Sequence, residues 1–415
     1  MTGFRANVIN VLGLSLKTIP RRNIMPNIEL LEKSMPVAPI RIAALGCQEL
    51  AEEVDRKLVK FRKELVVKKQ LSVIPQGYSE ESFLVECECP RFGTGEGKGY
   101  IKESVRGTDL YIMVDVTNYS ETYTVCGHEN HMSPDNHFQD LKRIISAATG
   151  KAHRINVIMP FLYESRQHKR TSRESLDCAL ALQELVRMGV DNIITFDAHD
   201  PRVQNAIPLS GFETVSPTYQ FIKGLLRTYK DLQIDSDHMM AISPDEGGTN
   251  RAVYLANVLG LDMGMFYKRR DYTQVVDGRN PIVAHEFLGS SVEGKDVIII
   301  DDMISSGESI IEVATELKRR KANRIFAAAT FGLFTNGLEK FDKAYEEGVL
   351  TGVLTTNLIY QTPELLSKPY YINCDMSKYI AYIIDTLNHD SSISDLLNPN
   401  ERIQNIVARY RTGEL

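Results

Sequence analysis

Short runs of consecutive apolar residues alternate along this chain with stretches whose apolar positions recur every three or four residues. That alternation predicts buried parallel strands joined by helices. The runs RIAAL from Arg41, LYIMVDV from Leu110, INVIMP from Ile155 to Pro160 and NIITF from Asn192 predict one set of strands. MMAIS, DMGMFY, the run Val297 to Ile300, RIFAAATFGLF and GVLTTN predict a second set, and SFLVECEC before Pro90 reads as a further strand. Helical spacing predicts a helix from Gln48 to about Val66 and another over ESLDCALALQELVRMG, with Leu176, Ala179, Leu182 and Val186 on one face and Gly189 as its stop. Ile310, Val313, Ala314 and Leu317 share a face after a polar loop, and the tail from Met376 to Leu397 is helical.

The pattern loosens after Pro208, in SGFETVSPTYQ, which sets a boundary near Ser216. The expected division is an N-terminal extension over 1–39, with disorder left open, an α/β domain over 40–215, a second over 216–385 and a helical tail over 386–415. A chain of 415 residues is long enough for two cores. Its 43% apolar and 25% charged residues are those of a globular protein, and a net charge of −6 speaks against a general nucleic-acid binder. No apolar run reaches the roughly 18 residues that span a bilayer. Six scattered cysteines without a disulfide framework fit reduced thiols in a cytoplasmic protein. The first 24 residues carry Arg5, Lys17, Arg21 and Arg22 but no acid, which fits either an organellar leader or an over-long start before Met25.

The chemistry concentrates in DVIIIDDMISSGESIIEVATEL, from Asp296 to Leu317. A strand, a loop of hydroxyls with one glycine, and a helix start follow each other. Unpaired N–H groups at such a helix start, with Ser305, Ser306 and Ser309 beside them, can hold a phosphate around Gly307 and Glu308. Asp301 and Asp302 would repel that phosphate unless they faced hydroxyls or a divalent cation, and a ribose phosphate offers the hydroxyls.

Cation-rich stretches surround this loop in the sequence. Tyr163, Arg166, Gln167, His168, Lys169, Arg170 and Arg173 follow a strand directly, where open α/β sheets bind ligands and the arginine fork suits polyphosphate. Asp197-Ala198-His199-Asp200 at another strand end suits a magnesium and polyphosphate site. Pro244-Asp245-Glu246-Gly247-Gly248 repeats the strand, acid, glycine loop and helix layout. Lys268-Arg269-Arg270 opens a polar run to His285 that reads as a loop able to close over phosphates. Gly93, Gly95 and Gly97 mark a loop that turns sharply or approaches something closely. Cys126, His128 and His131, with Cys87 and Cys89 in reserve, lack paired finger spacing, which predicts that no tightly bound metal is needed for folding.

Five motifs in order carry a resemblance to ribose-phosphate diphosphokinases over about residues 40 to 400. They are Arg91-Phe92-x-x-Gly95-Glu96, Arg166-Gln167, Asp197-x-His199, Ser243-Pro-Asp245-x-Gly-Gly and the Asp301 to Ser309 loop, and Lys268-x-Arg270 lies between the last two. The resemblance implies two phosphoribosyltransferase-like α/β domains, each a mostly parallel sheet flanked by helices. It implies ATP and ribose 5-phosphate as substrates, Mg2+ as cofactor, and a dimer-based homo-oligomer, up to a hexamer, with no nucleic-acid or membrane partner. It assigns Phe92, Thr94, Gly95, Glu96, Arg166 and Gln167 to ATP, and Asp301, Asp302, Ser305, Ser306, Gly307, Glu308 and Ser309 to ribose 5-phosphate. His199 and Asp245 would hold the metal, and Lys268 and Arg270 would be catalytic. The Cys126 to His131 segment is an insertion relative to that family.

Two alternatives stand beside this reading. A phosphoribosyltransferase would share the central loop but has no use for the Arg166-Gln167 cluster or the Phe92 loop. A catalytically weak regulatory homologue would account for Thr94, Ser305 and Glu308, which replace the family's Asp, Asp and small residue, though Lys268 and Arg270 are retained.

Overall fold

The computed structural model describes residues 34–69, 73–270 and 282–415. Its strands, in chain order, begin with β1 (Ile40–Leu45), β2 (Cys87–Glu88), β3 (Tyr100–Ile101), β4 (Asp109–Val114), β5 (Thr122–Val125) and β6 (His128–His131). Next come β7 (Arg154–Ile158), β8 (Asn192–Phe196), β9 (Gly211–Val215), β10 (Met239–Ser243), β11 (Asp262–Arg270) and β12 (Ile282–Leu288). The last four are β13 (Asp296–Ile304), β14 (Ile325–Gly332), β15 (Gly352–Thr356) and β16 (Tyr371–Cys374).

One sheet has the order β1-β4-β7-β8-β9 and is parallel throughout. The other, β12-β11-β10-β13-β14-β15-β16, is parallel except for β12, which runs antiparallel along β11. Helices cover both faces of the second sheet, which is why its central strands are apolar without a break. Along β13, Ile298 and Ile300 enter one core with Phe221 and Leu225, while Val297 and Ile299 enter the opposite core with Ile310 and Val313.

The end of the chain departs from the expected division. The bound at residue 385 falls inside the helix Ser377–Asn388, whose Ile380, Ala381 and Ile384 belong to the core of the first sheet, with Tyr382 stacked on Phe61 at 4.5 Å. The helix Asn400–Arg411 then returns to the second domain through Ile403, Ile406 and Val407. Two crossings of the closing segment therefore tie the domains together.

Local corrections have local causes. SFLVECEC keeps only Cys87–Glu88 as a strand: Leu84 makes a single bridge to Ile42 of β1, and just before it the Asp55 carboxylate accepts the N–H of Phe83 and the hydroxyl of Ser82. The polar stretch before Asn136 folds into the hairpin β5–β6 and then the helix Pro134–Ala148, capped by Ser133. The run to His285 ends in β12, where His285 lies opposite Lys268, and the expected closing loop over 271–281 falls outside the described residues. Edge strands β9 and β16, only partly buried, escaped the pattern. Among the described residues, no helix is long and apolar enough to cross a membrane.

Candidate active site

Strand β13 continues beyond its apolar run, so Asp301 and Asp302 lie on the strand and not in the loop after it. Pairing with β14 holds them, with Asp301 opposite Ala329 and Met303 opposite Phe331. Asp302 is buried, and its Oδ2 accepts from His199 Nδ1 at 2.6 Å. His199 follows β8, so this bond joins the two domains at the carboxyl ends of their sheets.

A second link runs beside it. Asp197 accepts from Arg251 Nε at 2.8 and 3.0 Å and from Thr330 Oγ1 at 2.7 Å. The far side of the same guanidinium lies 3.8 Å from Asp302. Asp197 sits at φ 42, a left-handed conformation that costs a non-glycine residue of order 1 kcal/mol or more and that these bonds hold in place. Sequence reasoning gave Arg251 and Thr330 no role. A signal existed for Asp197, an acid directly after a parallel strand.

Electrostatics separate the acids. Burial would raise Asp302, but the His199 bond and the Arg251 charge outweigh it and hold the carboxyl below the usual range. Asp301 is pushed up to about 8, by burial first and by the Asp302 charge next, with Asp245 adding to it. A carboxyl so placed gains from any cation that approaches it. Asp245 Oδ1 accepts from the N–H groups of Gly247 and Gly248 at 2.8 and 3.2 Å.

The candidate phosphate cradle, a loop leading into a helix start, follows β13. Gly307 stands at the N-terminus of the helix Glu308–Arg319 with φ 81, and a Cβ there would clash with the buried Phe341 ring. Only glycine satisfies both conditions. The Ser306 hydroxyl accepts from Glu308 N–H at 3.4 Å, and Ser305 O accepts from Thr335 N–H at 2.9 Å, which ties the loop to the next strand's exit. Glu308 adds a negative charge at the helix start, but its carboxylate pairs with Lys340. The helix Thr249–Leu259 begins on the adjacent strand, with a Gly248 Cβ position 3.4 Å from Ile300 O, so two helix N-termini face the same edge.

The other predicted residues divide. The turn carrying Arg166 and Gln167 reaches the cluster through His168, whose ring centroid lies 5.3 Å from that of His199. Arg166 is exposed, and Gln167 donates to Ser175 O at 2.8 Å. The loop of Phe92, Thr94, Gly95 and Glu96 packs on its own domain, with Thr94 Oγ1 donating to Glu96 at 2.9 Å and Phe92 57% exposed. Among the described residues, no hydrogen bond joins that loop to His199, Asp245 or Asp302. Ser309 lies in the first turn of the Glu308–Arg319 helix. Lys268 and Arg270 belong to β11, but their side chains fall outside the described residues.

Cys126, His128 and His131 lie along the hairpin, and His131 Nδ1 is bonded to Tyr119 O at 2.8 Å. Among the described residues, no three His, Cys, Asp or Glu side chains group as a metal-binding set.

A family model described as the N-terminal domain of ribose phosphate pyrophosphokinase matches residues 42–189, and one described as the phosphoribosyl transferase domain matches residues 219–367. The chain is 30% identical over 312 residues to a ribose-phosphate pyrophosphokinase of Vibrio cholerae, covering 74% of this chain and 90% of that one. It is 29% identical over 319 residues to that of Vibrio parahaemolyticus, covering 76% and 92%. A phosphoribosylpyrophosphate synthetase structure from Mycobacterium smegmatis superposes with a TM-score of 0.65 at 20% identity, covering 85% of this chain and 100% of that one. That likeness supports the fold, with two phosphoribosyltransferase-like domains.

Proposed function

Since the chain belongs to the ribose-phosphate pyrophosphokinase family, we propose that it transfers the diphosphoryl group of MgATP to the 1-hydroxyl of ribose 5-phosphate. The products are 5-phosphoribosyl 1-diphosphate and AMP, for nucleotide biosynthesis. The 1-hydroxyl oxygen bonds to the β-phosphorus, the bond from the β-phosphorus to the oxygen bridging the α-phosphate breaks, and the hydroxyl proton is released.

The observation that carries this reading is the His199–Asp302 bond, which sets an imidazole and acid pair from two domains beside a serine-rich helix start. A phosphoribosyltransferase needs only the second domain and leaves the first without a task. In our reading Ser305 to Ser309 bind the 5-phosphate with the N–H groups of the helix start, where negative charge is favoured. Asp301 accepts from the ribose hydroxyls.

We read His199 and Asp245 as the residues that would hold a magnesium ion, although no three such side chains come together among the described residues. Asp245 would supply an oxygen, and the Asp302 bond occupies His199 Nδ1, which leaves Nε2 as the donor on the other side of the ring. Bound there, the ion would neutralise the polyphosphate. Arg166 and Gln167 hold the phosphates of ATP, Phe92 with the Thr94 to Glu96 turn holds its base, and Lys268 and Arg270 stabilise the charge on the moving group.

The Phe92 to Glu96 loop, exposed at Phe92, also suits completion of a neighbour's nucleotide site. We therefore read the protein as a homo-oligomer built on dimers, a claim that a fully active monomer in light scattering would overturn. The function itself is tested by AMP release from ATP that requires ribose 5-phosphate.

A further inference from the structure

The hairpin β5–β6 lies against the stretch from Arg91 to Glu96 at three points. Gly93 O accepts from Cys126 N–H at 2.8 Å. Gly95, at φ 90, comes so near the hairpin that a Cβ on it would lie 2.9 Å from Val125 Cγ2. The Arg91 guanidinium lies 5.2 Å from the centroid of the Tyr123 ring, while its nitrogens donate to both oxygens of Asp140 at 2.7 Å. The loop is thus held from one side by the helix Pro134–Ala148 and from the other by the hairpin.

The turn is built for this contact. Cys126 and Gly127, at φ 50 and 82, form a two-residue connection that aims the Cys126 N–H at Gly93. Neither the thiol nor the two histidines is needed for that bond.

We infer that the hairpin is a positioning element for the nucleotide loop, fixing the Phe92 to Glu96 turn before ATP arrives so that the exposed Phe92 ring is presented to the purine base. This rests on the function proposed above. A preorganised loop loses less conformational freedom on binding, so its anchors act on affinity for the nucleotide and not on the sugar phosphate.

The test measures AMP release, with KM for each substrate, and separately titrates MgATP into the protein by calorimetry. Tyr123→Ala removes the ring beside Arg91, and Cys126→Pro removes the N–H and the positive φ. Each should raise KM and Kd for ATP about 3- to 10-fold, the scale of one cation–π contact or one backbone bond. KM for ribose 5-phosphate and kcat should stay within about two-fold of the parent, since both anchors act on the nucleotide alone. Tyr123→Phe keeps the ring and Cys126→Gly keeps the turn, so both should behave as the parent. Unchanged ATP binding in Tyr123→Ala, or an equal rise in both KM values, would overturn the inference. Loss of ATP affinity in Cys126→Gly would do the same, because the thiol and not the backbone would then hold the loop. A parent that binds MgATP without releasing AMP would defeat the proposed function, and the titration would still judge the hairpin.

Discussion

His199 Nδ1, at the end of the first sheet, lies 2.6 Å from Asp302 Oδ2 on the central strand of the second sheet. The candidate site therefore exists only while the domains are docked, and residues that hold the docking also hold the chemistry. Arg251, Asp197 and Thr330 form one such support, and the bond from Tyr360 N–H to Asp115 Oδ2 at 2.7 Å forms another.

Arg251→Ala leaves the half-buried Asp197 without its cationic partner. Losing a charge-assisted hydrogen bond typically costs about 1.5–3 kcal/mol. Urea unfolding should show a loss on that scale together with loss of activity, and Thr330→Val should lose less. An Arg251→Ala protein as stable as the parent would mean that the domains are held elsewhere.

Gly307→Ala places a methyl group into the Phe341 ring and a side chain at φ 81. Strain of this kind costs about 1–3 kcal/mol and cannot relax, because Phe341 is buried in the core. The melting temperature should fall and KM for ribose 5-phosphate should rise, while ATP binding measured by calorimetry should hold. If both substrates bound as before, the cradle would not be the phosphate site.

Burial pushes Asp115 up to about 6, against the bonds it accepts from Thr117 and Tyr360. A carboxyl raised above its unfolded value is held protonated more tightly in the folded protein. Its contribution to stability is therefore full below about pH 4 and is lost as pH rises through 6, up to about 3 kcal/mol in all. The stability difference between the parent and Asp115→Asn should shrink over that window. A difference that grew with pH would contradict a raised Asp115.

Much of this arrangement was legible in the sequence, for reasons the structure makes plain. Val297 to Ile300 and the NIITF run are buried on both faces, so unbroken apolar runs marked them. His199, Asp245 and Asp301 could be found because each follows or ends such a run. The partner of His199 could not, because the pairing of residues 199 and 302 depends on how two sheets dock, which no local spacing encodes. Arg251 looked like an ordinary residue of a helix, and the hairpin β5–β6 was hidden because its exposed, polar strands have no core to pattern them.

Lys268→Ala should lower kcat by on the order of 10²–10³ with little change in the KM for either substrate. The motivating fact is its place on β11, the strand beside β10, next to the segment 271–281. Lys268→Arg should restore part of the rate, since a flat guanidinium does not reproduce a compact ammonium. If kcat held and only the KM for ATP rose, Lys268 would be a phosphate anchor and not a catalytic group.

The most direct measurement follows products of ATP with and without ribose 5-phosphate, in magnesium, by phosphorus NMR or chromatography. AMP and 5-phosphoribosyl 1-diphosphate should form in equal amounts, and only when ribose 5-phosphate is present. Formation of ADP, or AMP release that does not depend on the sugar phosphate, would contradict the proposed diphosphoryl transfer.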